Sequence, residues 1–501
     1  MAKLKSFTKQ AKTKSKKEQK LESADDFQAA GVEFEEAAGK WRAGDAAKSM
    51  RFFRRAIDVY DQGLRKFPQS IDLAYNKARV QLEIATHPIL VDELEQPQRA
   101  VLDEALASHR YTLQLDPENS DALFNASQVL TAIAELIATD EDEESGNEAE
   151  ALKALREALE LQGTCLGLQE RKYQEFLELE RFANEQNTSD KPATTAASKE
   201  ASESGGGAEE DDEWFNVVEP VTSDTLIDTL LAQLGTLTTF CSILSSSPES
   251  AAPPNTLAWV EEISTGVINK IETISRDKHG GRLQEVALAR ANLVSAMLEA
   301  GYRSGKIDAE TYGRELNSIF SKSEFEQSVE GLLAKARSLL ALSSALGDSD
   351  NGDAESQSTL RWNVLTVSIS SLKSASAIRG ISQEDLVATH LLRGDASLYL
   401  YSMAFPPVSH QTAIKTSSQN AKNAEVYYRN ASRLTSDEEE RDVASLKSTI
   451  AQYLQGYSQG NTQGGDISGL LVQASPRGQE WVMKELEEMM SENLVPQALF
   501  L

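Results

Sequence analysis

The stretch Pro68-Gln69-Ser70-Ile71-Asp72-Leu73-Ala74-Tyr75-Asn76 is echoed by Pro117-Glu118-Asn119-Ser120-Asp121-Ala122-Leu123-Phe124-Asn125, with proline, aspartate, aromatic and asparagine at the same offsets. The separation, 117 minus 68, is 49 residues, and a period of that size marks a repeated supersecondary unit. Each proline follows one apolar-periodic run and opens another, where a residue without an N–H ends one helix and starts the next. The unit is therefore helix, turn, helix. A single pair cannot bury its apolar face, so pairs must stack. The expected fold is all-α, an α-α superhelical solenoid whose concave face recognises protein.

Composition agrees with helices. Hydrophobic residues make up 40% of the 501 positions and aromatics only 6%, which suits Ala- and Leu-rich helices better than a sandwich. The length exceeds one ordinary core. Cys165 and Cys241 are too few and too separated for a disulfide framework or thiolate metal site, which points to a reducing compartment. No run approaches the roughly 20 consecutive apolar residues of a membrane span, and no apolar stretch follows the basic amino terminus. The expectation is a cytoplasmic or nuclear protein with no membrane span.

Charge divides the chain. The net charge is −28, yet residues 1–20 hold eight lysines against Glu18, which leaves −35 on the remainder. Such a body repels nucleic acid and steers basic partners toward it; acidity also serves solubility alone. Residues 1–23 read as a disordered basic arm.

From Ala24 a first helical pair carries Phe27, Val32, Phe34 and Trp41, then a Gly44-Asp45 turn, then Ser49, Phe53 and Ala56. These residues, with the junction Leu115 to Asn125, resemble tetratricopeptide repeats, in which a Gly-Asp turn is followed by small, large and small residues and then proline. Aligned this way, Pro68 falls seven residues late. A third pair follows, with Ala151, Leu155 and Ala158 at the same spacing. Residues 24–186 thus read as tetratricopeptide-like repeats. Residues 187–213, with Gly205 to Gly207 and Glu209 to Glu213, read as a disordered acidic Ser/Gly-rich linker.

Residues 214–455 read as a degenerate helical-repeat module. Trp214, Phe215, Val217 and Val218 form a short apolar segment expected to dock on a module, and Thr222 to Asp224 cap a helix reaching Leu244. Turns are expected near 279–281, 304–306, 347–353 and 380–382, and the 4-and-3 spacing returns at Ala424, Tyr428 and Ala431. The phrase Glu219 to Thr222 with Asp228 to Leu234 also resembles a little-characterised group of fungal tetratricopeptide-like proteins. Residues 456–501 read as a flexible tract and an amphipathic helix from Gln479 to Ser491, which caps the array or fills a groove.

No catalytic, cofactor or metal site is expected. The five histidines are scattered without metal-ligand spacing, and neither a phosphate-binding loop nor a nucleophile elbow occurs. The candidate groove residues are Asn76, Asn125, Tyr75 and Phe124. The resemblance implies that such asparagines face a bound peptide, since an amide offers donor and acceptor; helix-junction packing is the other reading. Glu33, Glu35, Glu36 and Asp121 stand where a carboxylate clamp would need cations, so an acidic chaperone tail is disfavoured. Two functions remain. One is a non-catalytic interaction scaffold or escort for a basic protein client, such as a ribosomal protein or histone, with no small-molecule ligand. The other is a structural subunit of a larger complex.

Overall fold

The computed structural model describes residues 21–139, 147–189, 221–246, 255–277, 282–348, 354–459 and 477–496, and among them every regular element is a helix. Residues 1–20 of the basic arm, most of the 187–213 linker, the Trp214–Val218 segment, the expected turn at 279–281 and the tract 460–476 lie outside the described residues, whereas Ser23, expected in the arm, caps the first helix. The chain divides into two compact units, residues 1–140 with 156–193, and residues 141–155 with 194–501.

The first unit begins with α1 (Ala24–Trp41), α2 (Ala46–Lys66), α3 (Ile71–Thr86), the single turn α4 (Pro88–Val91), α5 (Gln98–Leu115) and α6 (Ser120–Thr139). Local chemistry sets the boundaries. Ser23 and Asp26 form a reciprocal capping box, and Asp45 and Ser70 cap α2 and α3. Helices α1, α3 and α6 touch in turn and form one layer, with α2 and α5 packed across it. Helix α7 (Asn147–Ser189) spans both units. Within the first unit its later part is tied on by Arg110 to Glu157 at 2.5 Å, Arg171 to Glu118 at 3.1 Å and Cys165 Sγ donating to the Ser120 carbonyl at 3.2 Å.

The register of the repeat differs from the expectation. Ser49, Phe53 and Ala56 are buried, with Ser49 Oγ donating to the Ala38 carbonyl of α1 at 2.9 Å, and the contact that admits only glycine lies one heptad later, at Ala56, Tyr60 and Gly63. A Cβ on Gly31 would lie 2.2 Å from the Tyr60 ring, and one on Gly63 would lie 2.8 Å from Leu73. Pro68 follows Gly63 by five residues. The 49-residue offset carries this set onto Ala105, His109 and Thr112, all fully buried, and then Pro117. On α7 the set Ala158, Gln162 and Cys165 is likewise buried, one heptad beyond the expected start.

The second unit contains α8 (Ser223–Ser246), α9 (Thr256–Asp277), α10 (Leu283–Arg303), α11 (Ala309–Phe320), the turn α12 (Ser323–Glu326), α13 (Val329–Gly347), α14 (Ala354–Ala377), α15 (Gln383–Ser402), α16 (Gln411–Leu434), α17 (Glu438–Ser458) and α18 (Gln479–Ser491). From α13 onward each helix packs on the next, through α17. Helix α17 runs three residues past the expected boundary at 455. Val482, Leu486 and Met489 of α18, with Leu494 and Val495, are buried in one core with Tyr401, Tyr428, Leu446 and Leu454.

Helices α6 and α8 are long and apolar enough to cross a membrane by length and composition. Neither helix is an unbroken apolar run, because Gln128 and Glu135 interrupt α6 and Gln233 interrupts α8. In the structure Val129, Leu130, Leu230 and Leu234 on these helices are core residues.

Candidate functional site

The candidate site lies on the layer α1, α3 and α6, where neighbouring helices are joined by polar contacts. Tyr60 donates its hydroxyl to Glu35 Oε1, and Arg79 Nη2 of α3 donates to Glu35 Oε2. Burial pushes the Tyr60 hydroxyl pKa upward, and its bond to Glu35 pushes it the same way. Burial opposes the charge on Arg79, but Glu35 outweighs it and leaves the guanidinium above its ordinary range. Arg42 pairs with Glu83 at 2.7 Å, a second link from the end of α1 to α3.

On α3 and α6 the four sequence candidates are half-buried. The structure brings two of them together: Asn125 Nδ2 donates to the Tyr75 hydroxyl at 3.4 Å. Burial raises the Tyr75 pKa and the nearby Asp121 carboxylate adds to the effect. Asp72, Tyr75 and Arg79 follow at helical spacing on α3, and Asp121 and Phe124 do so on α6, which places acid and aromatic side chains on shared stripes. Asn76 lies between Leu73 and Val80, both fully buried, one turn to either side. That position favours helix-junction packing for Asn76. Asn125 joins two helices through Tyr75, so its amide is already engaged.

Sequence reasoning missed Gly31, Glu35, Tyr60 and Arg79 as a unit. The same arrangement recurs in the second unit. Tyr428 donates to Asp395 Oδ1 at 2.8 Å, Lys447 approaches the same oxygen at 3.5 Å, and a Cβ on Gly394 would lie 2.4 Å from the Tyr428 ring. A signal was present, because Tyr60 to Arg79 and Tyr428 to Lys447 are both separations of 19 residues.

His109 occupies the position of Tyr60 in the next repeat. It is fully buried, neither ring nitrogen has a hydrogen-bond partner, and burial pushes its pKa down to about 4. The other histidines serve local structure where described. His87 and His410 cap α4 and α16, and His410 stacks on Trp362. Among the described residues no group of three or more His, Cys, Asp or Glu side chains could hold a metal ion. Both cysteines are buried, and burial pushes the Cys241 thiol up to about 12, so it is a poor nucleophile.

No family model matches the chain. It is similar to UPF0656 protein C926.02 of Schizosaccharomyces pombe, at 30% identity over 195 residues covering 37% of this chain and 43% of that protein. It is also similar to Uncharacterized protein YNL193W of Saccharomyces cerevisiae, at 36% identity over 78 residues covering 15% of this chain and 14% of the relative. The aligned regions thus span less than half the length of these curated relatives. Among solved structures, a circular tandem repeat protein with novel repeat topology and enhanced subunit contact surfaces aligns over 94% of this chain and 98% of its own. Its sequence identity is 13% and its TM-score 0.28.

Proposed function

We propose that this chain is a non-catalytic scaffold or escort whose tetratricopeptide-like pairs form a superhelical groove for a basic protein segment. One observation carries the reading: Tyr75 and Phe124 are half-buried on the layer where α1, α3 and α6 meet, with exposed Asp72 and Asp121 one turn before each. Aromatic anchors flanked by carboxylates suit a segment that alternates apolar and basic side chains. The −35 body would steer such a client toward the groove. A ribosomal protein or histone has the required charge, and cytoplasm or nucleus is the matching location.

The test is affinity purification from the native cell of the parent chain and of a variant carrying Asp72→Lys, Asp121→Lys and Phe124→Ala. The expected result is that basic proteins captured by the parent are lost with the variant. An unchanged captured set would refute the groove.

The second reading, a permanent subunit of a larger complex, has its own support. Leu179 and Phe182 near the end of α7 are 68% and 63% exposed, and at i, i+3 they offer a partner an apolar pair on one helix face. Co-purification in fixed stoichiometry that survives high salt and the groove substitutions, but is lost with Leu179→Glu and Phe182→Glu, would select it.

A further inference from the structure

The second unit contains a half-open recess of about 330 Å³ between α10, α11 and α12. Its floor is apolar, from Ala291, Val294, Leu298 and Phe325, and Arg290 and Lys322 stand in its lining against Glu315. The lining is thus net basic in a chain of net charge −28. It is large enough for one aromatic side chain and at the small end of ligand sites.

We infer that this recess is the docking site for the chain's own segment Asp211-Asp212-Glu213-Trp214-Phe215, with the Trp214 indole in the apolar floor and the carboxylates facing Arg290 and Lys322. Three observations support this occupant. First, the chemistry is complementary: an aromatic pair preceded by three acids matches an apolar floor with two cations, and Trp is the side chain most favoured as a buried anchor. Second, in an extended segment Asp212 and Trp214 share a side, so the indole can enter while a carboxylate meets the rim.

Third, the tether reaches. Trp214 precedes α8 closely, and the start of α8 is fastened to the start of α10: Arg282 Nη1 donates to Asp228 Oδ1 at 2.7 Å and to the Asp224 carbonyl at 3.4 Å. Ten residues from Asp224 back to Trp214 span up to ~33 Å. Twelve residues along α10 from Arg282 to Val294 cover only ~18 Å. A segment held this close docks at an effective concentration that a free peptide would not reach. Arg290 is also paired with Glu272 at 2.5 Å and Lys322 with Glu324 at 4.0 Å, so the rim charges set orientation and the indole supplies most of the holding.

The experiment is disulfide trapping in the full chain. Cysteine replaces Glu213 together with Ser318, an exposed residue lining the recess, or together with Asn292, an exposed residue on α10 that does not line it. The native cysteines are buried and do not compete. The 213–318 disulfide should form at least about tenfold faster than the 213–292 disulfide under mild oxidation. Trp214→Ala, and separately Val294→Glu, should remove that advantage, with helix content by circular dichroism confirming that each variant folds. Equal trapping at Ser318→Cys and Asn292→Cys, or trapping at Ser318→Cys that persists with Trp214→Ala, would overturn the inference.

Discussion

The crossing at Tyr60 in the first unit and the crossing at Tyr428 in the second solve one packing problem with the same parts in different depth. Each places a tyrosine ring against a glycine and its hydroxyl on a carboxylate, which a cation from the following helix then shares. The carboxylate comes from Glu35, four residues after its glycine, in one case and from Asp395, one residue after its glycine, in the other. The second cluster is the more enclosed on its cationic side, with Lys447 19% exposed against 36% for Arg79. Burial opposes the charge on Lys447, but Asp395 and Glu492 outweigh it and hold its pKa above the ordinary range. His109, one repeat after Tyr60, has no hydrogen-bond partner among the described residues. At both crossings the buried hydroxyl is met by a carboxylate and the carboxylate by a cation, whereas burial keeps the imidazole of His109 neutral.

The comparison breaks most visibly at the carboxylates. Asp395→Ala leaves an enclosed ammonium and a buried hydroxyl without their acceptor, and should cost about 3–5 kcal/mol in denaturant unfolding. Glu35→Ala should cost less, because Arg79 can turn to solvent. Equal losses would show that the difference in exposure has no energetic meaning.

His109 gives the next effect, in pH. Its folded pKa of about 4 lies below the unfolded value of about 6.5. The unfolded chain therefore binds the extra proton first. The stability held at pH above 6.5 should fall as pH drops from 6.5 toward 4, by at most about 3 kcal/mol. His109→Leu should flatten that part of the profile. A slope that survives the substitution would place the titration elsewhere.

Steric substitutions follow. Gly31→Ala and Gly394→Ala insert a methyl into a ring contact under 3.0 Å, so each should lower stability by about 1–3 kcal/mol. Pairing Gly31→Ala with Tyr60→Leu should recover part of the loss, as coupled neighbours do. Strict additivity would mean that the ring and the glycine do not meet. Ala56→Leu and Ala158→Leu should fall in the same range, since both residues are fully buried.

The smallest effect expected is on binding. Raising salt from 0.01 to 0.1 M shortens the Debye length from about 30 to about 10 Å. Client association should slow over this range, while the aromatic contacts keep dissociation nearly constant. An acidic client, or one indifferent to salt, would count against the proposed groove.

Several elements were legible in the sequence because their causes are local. Proline at 68 and 117, the turn at Gly44 and Asp45, the cap at Thr222 and the apolar spacing of α18 each act over a few residues. The crossing register was not legible. Ser49, Phe53, Ala56 and Ala56, Tyr60, Gly63 present the same spacing one heptad apart, and both sets are buried, so periodicity cannot choose between them. The choice rests on which glycine of the neighbouring helix lies under the ring. Of the groove candidates, Asn125 and Tyr75 meet through a bond spanning 50 residues, a contact that the repeated phrase implied only as a shared position.

By itself the sequence determined that this protein is built from helices, where several of them begin, and that a lysine-rich stretch of 20 residues precedes a strongly acidic remainder. These follow from propensity, capping and charge, which each residue brings with it. Only the tertiary structure decided which heptad makes the crossing, that Glu35 and Asp395 each serve a tyrosine and a cation, and that His109 is left without a partner. Those depend on the approach of surfaces from helices distant in the chain, where a single methyl group or one missing carboxylate sets the outcome.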